Sequence, residues 1–121
     1  MRISKKDKVD NLRKTAKQGD FFFANYLTGD GPRKSPVFIV GNDNDKEDVI
    51  ICKCTTSPPR TDFDKKVLLK EETYVRTNKV YTIPRASLLF KIPQSASPEE
   101  FKEFKEFKEI KDLIKKVFDI F

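Results

Sequence analysis

Val75-Arg76-Thr77-Asn78-Lys79-Val80-Tyr81-Thr82-Ile83-Pro84 is dominated by β-branched and aromatic residues and closes on a proline, the pattern of a strand. Strand alternation places Arg76 and Asn78 on one face, in a chain that has no histidine. A guanidinium beside an amide suits a phosphate better than a metal or a hydride, because both present several hydrogen-bond donors in a plane.

A strand of this kind needs neighbours, and the sequence before it supplies them. Phe21-Phe22-Phe23-Ala24-Asn25-Tyr26, Val37-Phe38-Ile39-Val40, Val49-Ile50-Ile51-Cys52-Lys53-Cys54 and Lys66-Val67-Leu68-Leu69 all read as strands. Gly19-Asp20 is a turn, and Thr28 to Pro36, with two glycines and two prolines, reads as a loop ending near the adjacent cations Arg33 and Lys34. Gly41 to Asp48 reads as a solvated hairpin connection, too short and without the turn glycine of a calcium loop. After the strands, Ser97-Pro98-Glu99-Glu100 starts a helix with an N-cap serine, proline at the first turn and a capping-box glutamate. Phe101, Phe104, Ile110, Leu113, Ile114, Val117, Phe118 and Phe121 then recur at helical spacing, which predicts one long helix packed on the sheet. Five or six strands followed by one helix give a small barrel-like α+β fold.

The chain of 121 residues fits one domain. Of its net charge of +6, most sits in the first 18 residues, where seven Lys or Arg face two acids, leaving 18 against 17 in the rest. Residues 1–18 therefore read as a basic N-terminal arm and 19–121 as the folded body, in which any RNA role would have to rely on a few placed cations. Cys52 and Cys54 sit one residue apart on a strand and read as two packed thiols, with neither a disulfide nor a zinc site implied. No apolar run has the length of a membrane span and the N-terminus lacks a secretion signal, so a cytoplasmic protein without membrane contact is expected.

The order of these features resembles the MazF/PemK-like toxins, endoribonucleases of toxin-antitoxin systems. The resemblance rests on Gly19-Asp20, Ser35-Pro36-Val37-Phe38-Ile39-Val40, Asn42-Asp43, Val49 to Thr56, Val75 to Pro84, Leu88-Leu89-Phe90-Lys91-Ile92 and the capped helix. It implies an SH3-like antiparallel β-barrel with a long C-terminal helix, assembled as a homodimer. It further implies that single-stranded RNA is bound along a groove and cut at short sequences, that an antitoxin protein blocks the groove, and that no cofactor or metal takes part. Thr55 falls on the family's catalytic or phosphate-binding threonine, Arg76 on an arginine that some members use, and Asn78 on a position that is aspartate in some. Ser35 stands where many members carry an arginine, with Arg33 and Lys34 as the nearest substitutes.

Metal-free RNA cleavage takes its nucleophile, the 2′-hydroxyl, from the substrate, so the protein must orient that oxygen, stabilise charge and move protons. Arg76 and Arg33 suit the charge, Thr55 suits a hydroxyl donor, and Asn78 completes the catalytic set although an amide accepts no proton. Lys34, Ser35, Thr56, Ser57 and Lys79 are expected to contact RNA, and Tyr26 to stack on an unpaired base. Thr55, Thr56, Tyr26 and Tyr81 fit a structural reading equally well, as strand-end threonines and core tyrosines, and Arg76 has a surface ion pair with Asp64 or Glu71 as its structural alternative. Ser35 and Asn78 also motivate a second function: a module of the same fold that binds RNA or a protein partner without cutting.

Overall fold

The computed structural model describes residues 13–42 and 46–119. Its strands are β1 (Phe21–Thr28), β2 (Gly31–Gly41), β3 (Asp48–Thr55), β4 (Asp64–Leu68), β5 (Glu72–Pro84) and β6 (Leu88–Lys91), with a 3-10 turn at Arg85–Ser87. All pairings are antiparallel, and the strand order is β4-β5-β3-β2-β1-β6. Among the described residues no ladder joins β4 to β6, so the hydrogen-bonded sheet is open where a closed barrel was expected.

Two expectations are corrected. The segment from Thr28 to Pro36 is a tight hairpin: Thr28 pairs with Gly31 across Gly29 and Asp30, and β2 then runs through Pro32 and Pro36 opposite β1. Gly31 enters it at φ 108°, which an L side chain adopts only with strain. The prolines are tolerated because β3 pairs only with Val37 to Gly41, so this half of β2 has a neighbour on one side alone. The single long helix is two, α1 (Pro98–Phe101) and α2 (Lys105–Phe118). Ser97 caps α1 as expected, its Oγ accepting from Glu100 N at 3.1 Å. The chain then tightens through Glu103 N to Glu100 O and Phe104 N to Phe101 O before α2 begins. The break lets Phe101 and Phe107 approach to 5.8 Å while both pack on Phe38.

The two sheet faces are buried differently. On the helix face, Phe21, Phe38, Cys52, Cys54 and Val75 pack against Phe101, Phe107 and Ile110. Burial pushes the Cys52 thiol up to about 12 and Cys54 well above its ordinary value, so both are packed, protonated thiols as the sequence indicated. On the far face, Phe22, Tyr26, Val37, Ile39, Ile51 and Ile83 form a second core with Ala16.

Of the basic N-terminal arm, residues 13–18 lie on the body, and residues 1–12 lie outside the described residues. Arg85, itself buried, donates to the carbonyls of Arg13 (2.6 Å) and Ala16 (3.2 Å) and to Asn42 Oδ1, while Gln18 Nε2 donates to Val40 O. Of the Gly41–Asp48 connection, residues 43–45 lie outside the described residues.

Gly19 joins the N-terminal segment to β1 at φ 97°, and a Cβ there would stand 3.2 Å from the Pro98 carbonyl oxygen. Gly19→Ala is expected to cost about 1–3 kcal/mol from backbone strain, read as a lower urea midpoint at unchanged m.

Candidate nucleic-acid interface

Arg76 sits where β5 departs from a regular ladder. Cys54 pairs with Val75 and Cys52 with Val80, so Lys53 alone on β3 stands opposite the four residues Arg76 to Lys79. This bulge bends β5 and breaks the simple alternation. Arg76 is 7% exposed and Thr77 fully buried, whereas Asn78 is exposed, so the single face expected for Arg76 and Asn78 is divided. Thr77 holds the bulge to the preceding loop, its N and Oγ1 both donating to Phe63 O at 3.1 and 2.6 Å.

Arg76 is opposite Asp64 in register, but no ion pair joins them; the Asp64 carboxylate accepts instead from Arg60 N at 2.8 Å. The buried Arg76 Nε has no hydrogen-bond partner. A permanently charged group held out of water without a carboxylate is costly, and an incoming anion would offset that cost.

Other cations converge on the same place. Lys53 holds its proton less firmly than an ordinary lysine, first because it is partly buried and then because Arg76, Arg33, Arg60 and Lys79 act on it. Val49 and Ile51 on β3 belong to the far face, so Lys53 and Thr55 follow them there by alternation. The same rule places Arg33 and Ser35 of β2 with Val37 on the far face, and sends Lys34 to the other side. The cluster therefore draws one cation each from β2, β3 and the loop after β3, and two from β5.

The other sequence candidates are placed as follows. Thr55 Oγ1 accepts from Ser57 N at 3.1 Å, which shapes the strand end and leaves its hydroxyl proton available. Thr56, Ser57 and Lys79 are exposed beside it. Ser35 Oγ hydrogen-bonds the Tyr26 hydroxyl at 2.8 Å and donates to Pro36 O at 3.0 Å, so it works within the core. Tyr26 is 3% exposed with its ring tilted against Tyr81 at 5.9 Å, a core position rather than an open stacking platform. Burial raises its phenol pKa, with the Ser35 hydrogen bond acting the other way.

Sequence reasoning passed over Lys53 and Arg60. Lys53 carried a signal, being the lone cation in an apolar strand and two residues before Thr55 on the same face. Arg60 carried none beyond its neighbouring prolines.

A hollow of about 770 Å³ lies elsewhere, on the helix face between β4 and the helices, lined by Phe21, Leu69, Tyr74, Phe101 and Phe104 among others. The Lys65–Glu109 ion pair (2.5 Å) joins two of its walls. The chemistry for an anion is at the cation cluster, not in this hollow. Among the described residues no three metal-ligating side chains gather, and no helix is long and apolar enough to cross a membrane.

No family model and no curated protein matches the sequence. Solved structures do match the fold. Toxin MazF-mt6 of Mycobacterium tuberculosis superposes with a TM-score of 0.61 at 17% identity, over 84% of this chain and 98% of that one. A mycobacterial endoribonuclease in complex with its cognate antitoxin gives 0.64 at 14% identity, over 88% and 97%. A MazE-MazF structure from Deinococcus radiodurans gives 0.60 at 11%, over 88% and 98%. The likeness runs through nearly the whole of each toxin chain, and on it this six-stranded sheet with its C-terminal helices has the fold of the MazF-type toxins.

Proposed function

We propose that this protein is an endoribonuclease toxin that cuts single-stranded RNA at selected sequences, using the substrate's own 2′-hydroxyl and no metal. The observation that carries the reading is the buried Arg76, whose Nε has no hydrogen-bond partner, together with four further cations on a fold shared with endoribonucleases. Arg76 and Arg33 hold and neutralise the scissile phosphate, and the planar fork of arginine matches its oxygens. Thr55 donates its hydroxyl to the same group or to a base edge. Thr56, Ser57, Asn78 and Lys79, exposed around the cluster, contact the flanking nucleotides. The SH3-like barrel closure belongs to this reading too, since the far face is buried as deeply as the helix face.

An antitoxin protein occludes this surface in the cell, as the antitoxin complexes among the structural relatives suggest. The protein acts as a cytoplasmic homodimer. Support for a second copy comes from the outer edge of β6, where no strand pairs among the described residues and Phe90, 55% exposed, stacks on Phe23 at 5.2 Å.

The test is incubation of the purified protein with a long RNA in the presence of a chelator, followed by mapping of new ends. New 5′-hydroxyl ends at a recurring short sequence are expected, with 2′,3′-cyclic phosphate on the upstream fragment. An intact RNA, or cleavage only on adding a divalent ion, would overturn the proposal.

A further inference from the structure

We propose that Lys53 is the proton donor to the 5′-oxygen leaving group when the RNA strand is cut, a role that rests on the endoribonuclease reading above. The site has no histidine, and the other groups that face Lys53 are poor proton donors for different reasons. Arg33 from β2, Arg60 from the loop after β3 and Arg76 from β5 carry guanidiniums that do not release a proton at working pH. Tyr26 from β1 is buried with its hydroxyl bonded to Ser35, and Tyr81 from β5 packs on its ring. Lys79 from β5 is exposed, and its ammonium belongs to solvent. The carboxylate opposite Arg76, Asp64, is turned to the Arg60 amide.

Lys53 differs from all of them. It stands at the centre of the cluster, opposite the four-residue bulge of β5, and two residues from Thr55 on the same face. Partial burial comes first, and the four surrounding cations second, in easing the proton from its Nζ. Those same cations draw a phosphate to the spot, so an ammonium eased toward giving up its proton lies where a leaving oxygen gains charge.

In the cleavage step a solvent hydroxide takes the 2′-hydroxyl proton and becomes water. The 2′-oxygen forms a bond to phosphorus while the bond from phosphorus to the 5′-oxygen breaks. The Lys53 ammonium gives one proton to that departing oxygen. The products are a 2′,3′-cyclic phosphate and a 5′-hydroxyl, and neutral Lys53 regains a proton from water, regenerating hydroxide.

The test compares an ordinary RNA oligonucleotide with one whose scissile 5′-oxygen is replaced by sulfur, which leaves without needing a proton. With the unmodified protein, the rate on the oxygen substrate is expected to rise with pH and then level off as Lys53 deprotonates, because the gain in hydroxide is cancelled by the loss of the ammonium, whereas the rate on the sulfur substrate is expected to go on rising. Lys53→Arg keeps the charge and is expected to slow the oxygen substrate by on the order of 10²-fold while cutting the sulfur substrate at the rate of the unmodified protein. Wild-type speed of Lys53→Arg on the oxygen substrate, or equal loss on both substrates, would overturn the assignment. An identical alkaline limb for the two substrates with the unmodified protein would overturn it without any variant. If the unmodified protein cuts neither RNA, the endoribonuclease reading fails and this role with it.

Discussion

Phe38→Ala is expected to destabilise the fold by about 3–5 kcal/mol, a large part of the roughly 5–15 kcal/mol that holds a domain together. Phe38 is 1% exposed on β2, with its ring 5.2 Å from Phe21, 6.3 Å from Phe101 and 6.2 Å from Phe107. It joins the sheet to both helices at once, so truncation removes buried area and leaves a cavity where sheet and helices meet. The surroundings are poorly able to collapse into that space, because Phe21 and Phe101 are fixed against each other in an edge-on contact at 5.8 Å. Thermal unfolding read by circular dichroism should show a Tm lower by on the order of 15 °C. A shift of only a few degrees would mean that the helices are not held by this cluster.

Arg76→Met is expected to act in opposite directions on stability and on function. Methionine replaces a charge that is 7% exposed, lacks a partner at Nε and stands among four other cations. Removing that burden should raise folding stability by about 1–2 kcal/mol, in line with other replacements of buried charges by apolar side chains. RNA cleavage should fall by about 10²–10³-fold, the usual cost of losing one preorganised donor at a developing charge. Denaturant melts and cleavage rates on the same samples check both. A variant that is both less stable and less active would point to Arg76 as a structural residue whose partner lies elsewhere.

Some of this site could be read in the chain because it is local. The Ser97 cap, the packed thiols of Cys52 and Cys54, and the strand character of β3 and β5 follow from residue type and spacing, and the structure bears them out. What escaped depends on partners distant in sequence. Nothing within Val75–Pro84 shows that one residue of β3 will face four of β5, yet that register decides that Arg76 is buried and Asn78 is not. The prolines of Thr28–Pro36 signal a loop only if the strand is flanked on both sides, and here it is not. The helix break likewise serves Phe101 and Phe107, whose common target, Phe38, is some sixty residues away in the sequence. Lys53 gains its character from neighbours on three other segments, and no window of sequence contains them.

The most direct test of the site is a backbone amide titration by NMR, using isotope-labelled protein and a single-stranded RNA made uncleavable by 2′-O-methylation. Binding at the cation cluster should shift the amides of Lys53 to Thr55 and Arg76 to Lys79, and the affinity should fall steeply as salt is raised. Shifts confined to α2 or to residues 13–18, with β3 and the bulge of β5 unmoved, would contradict it.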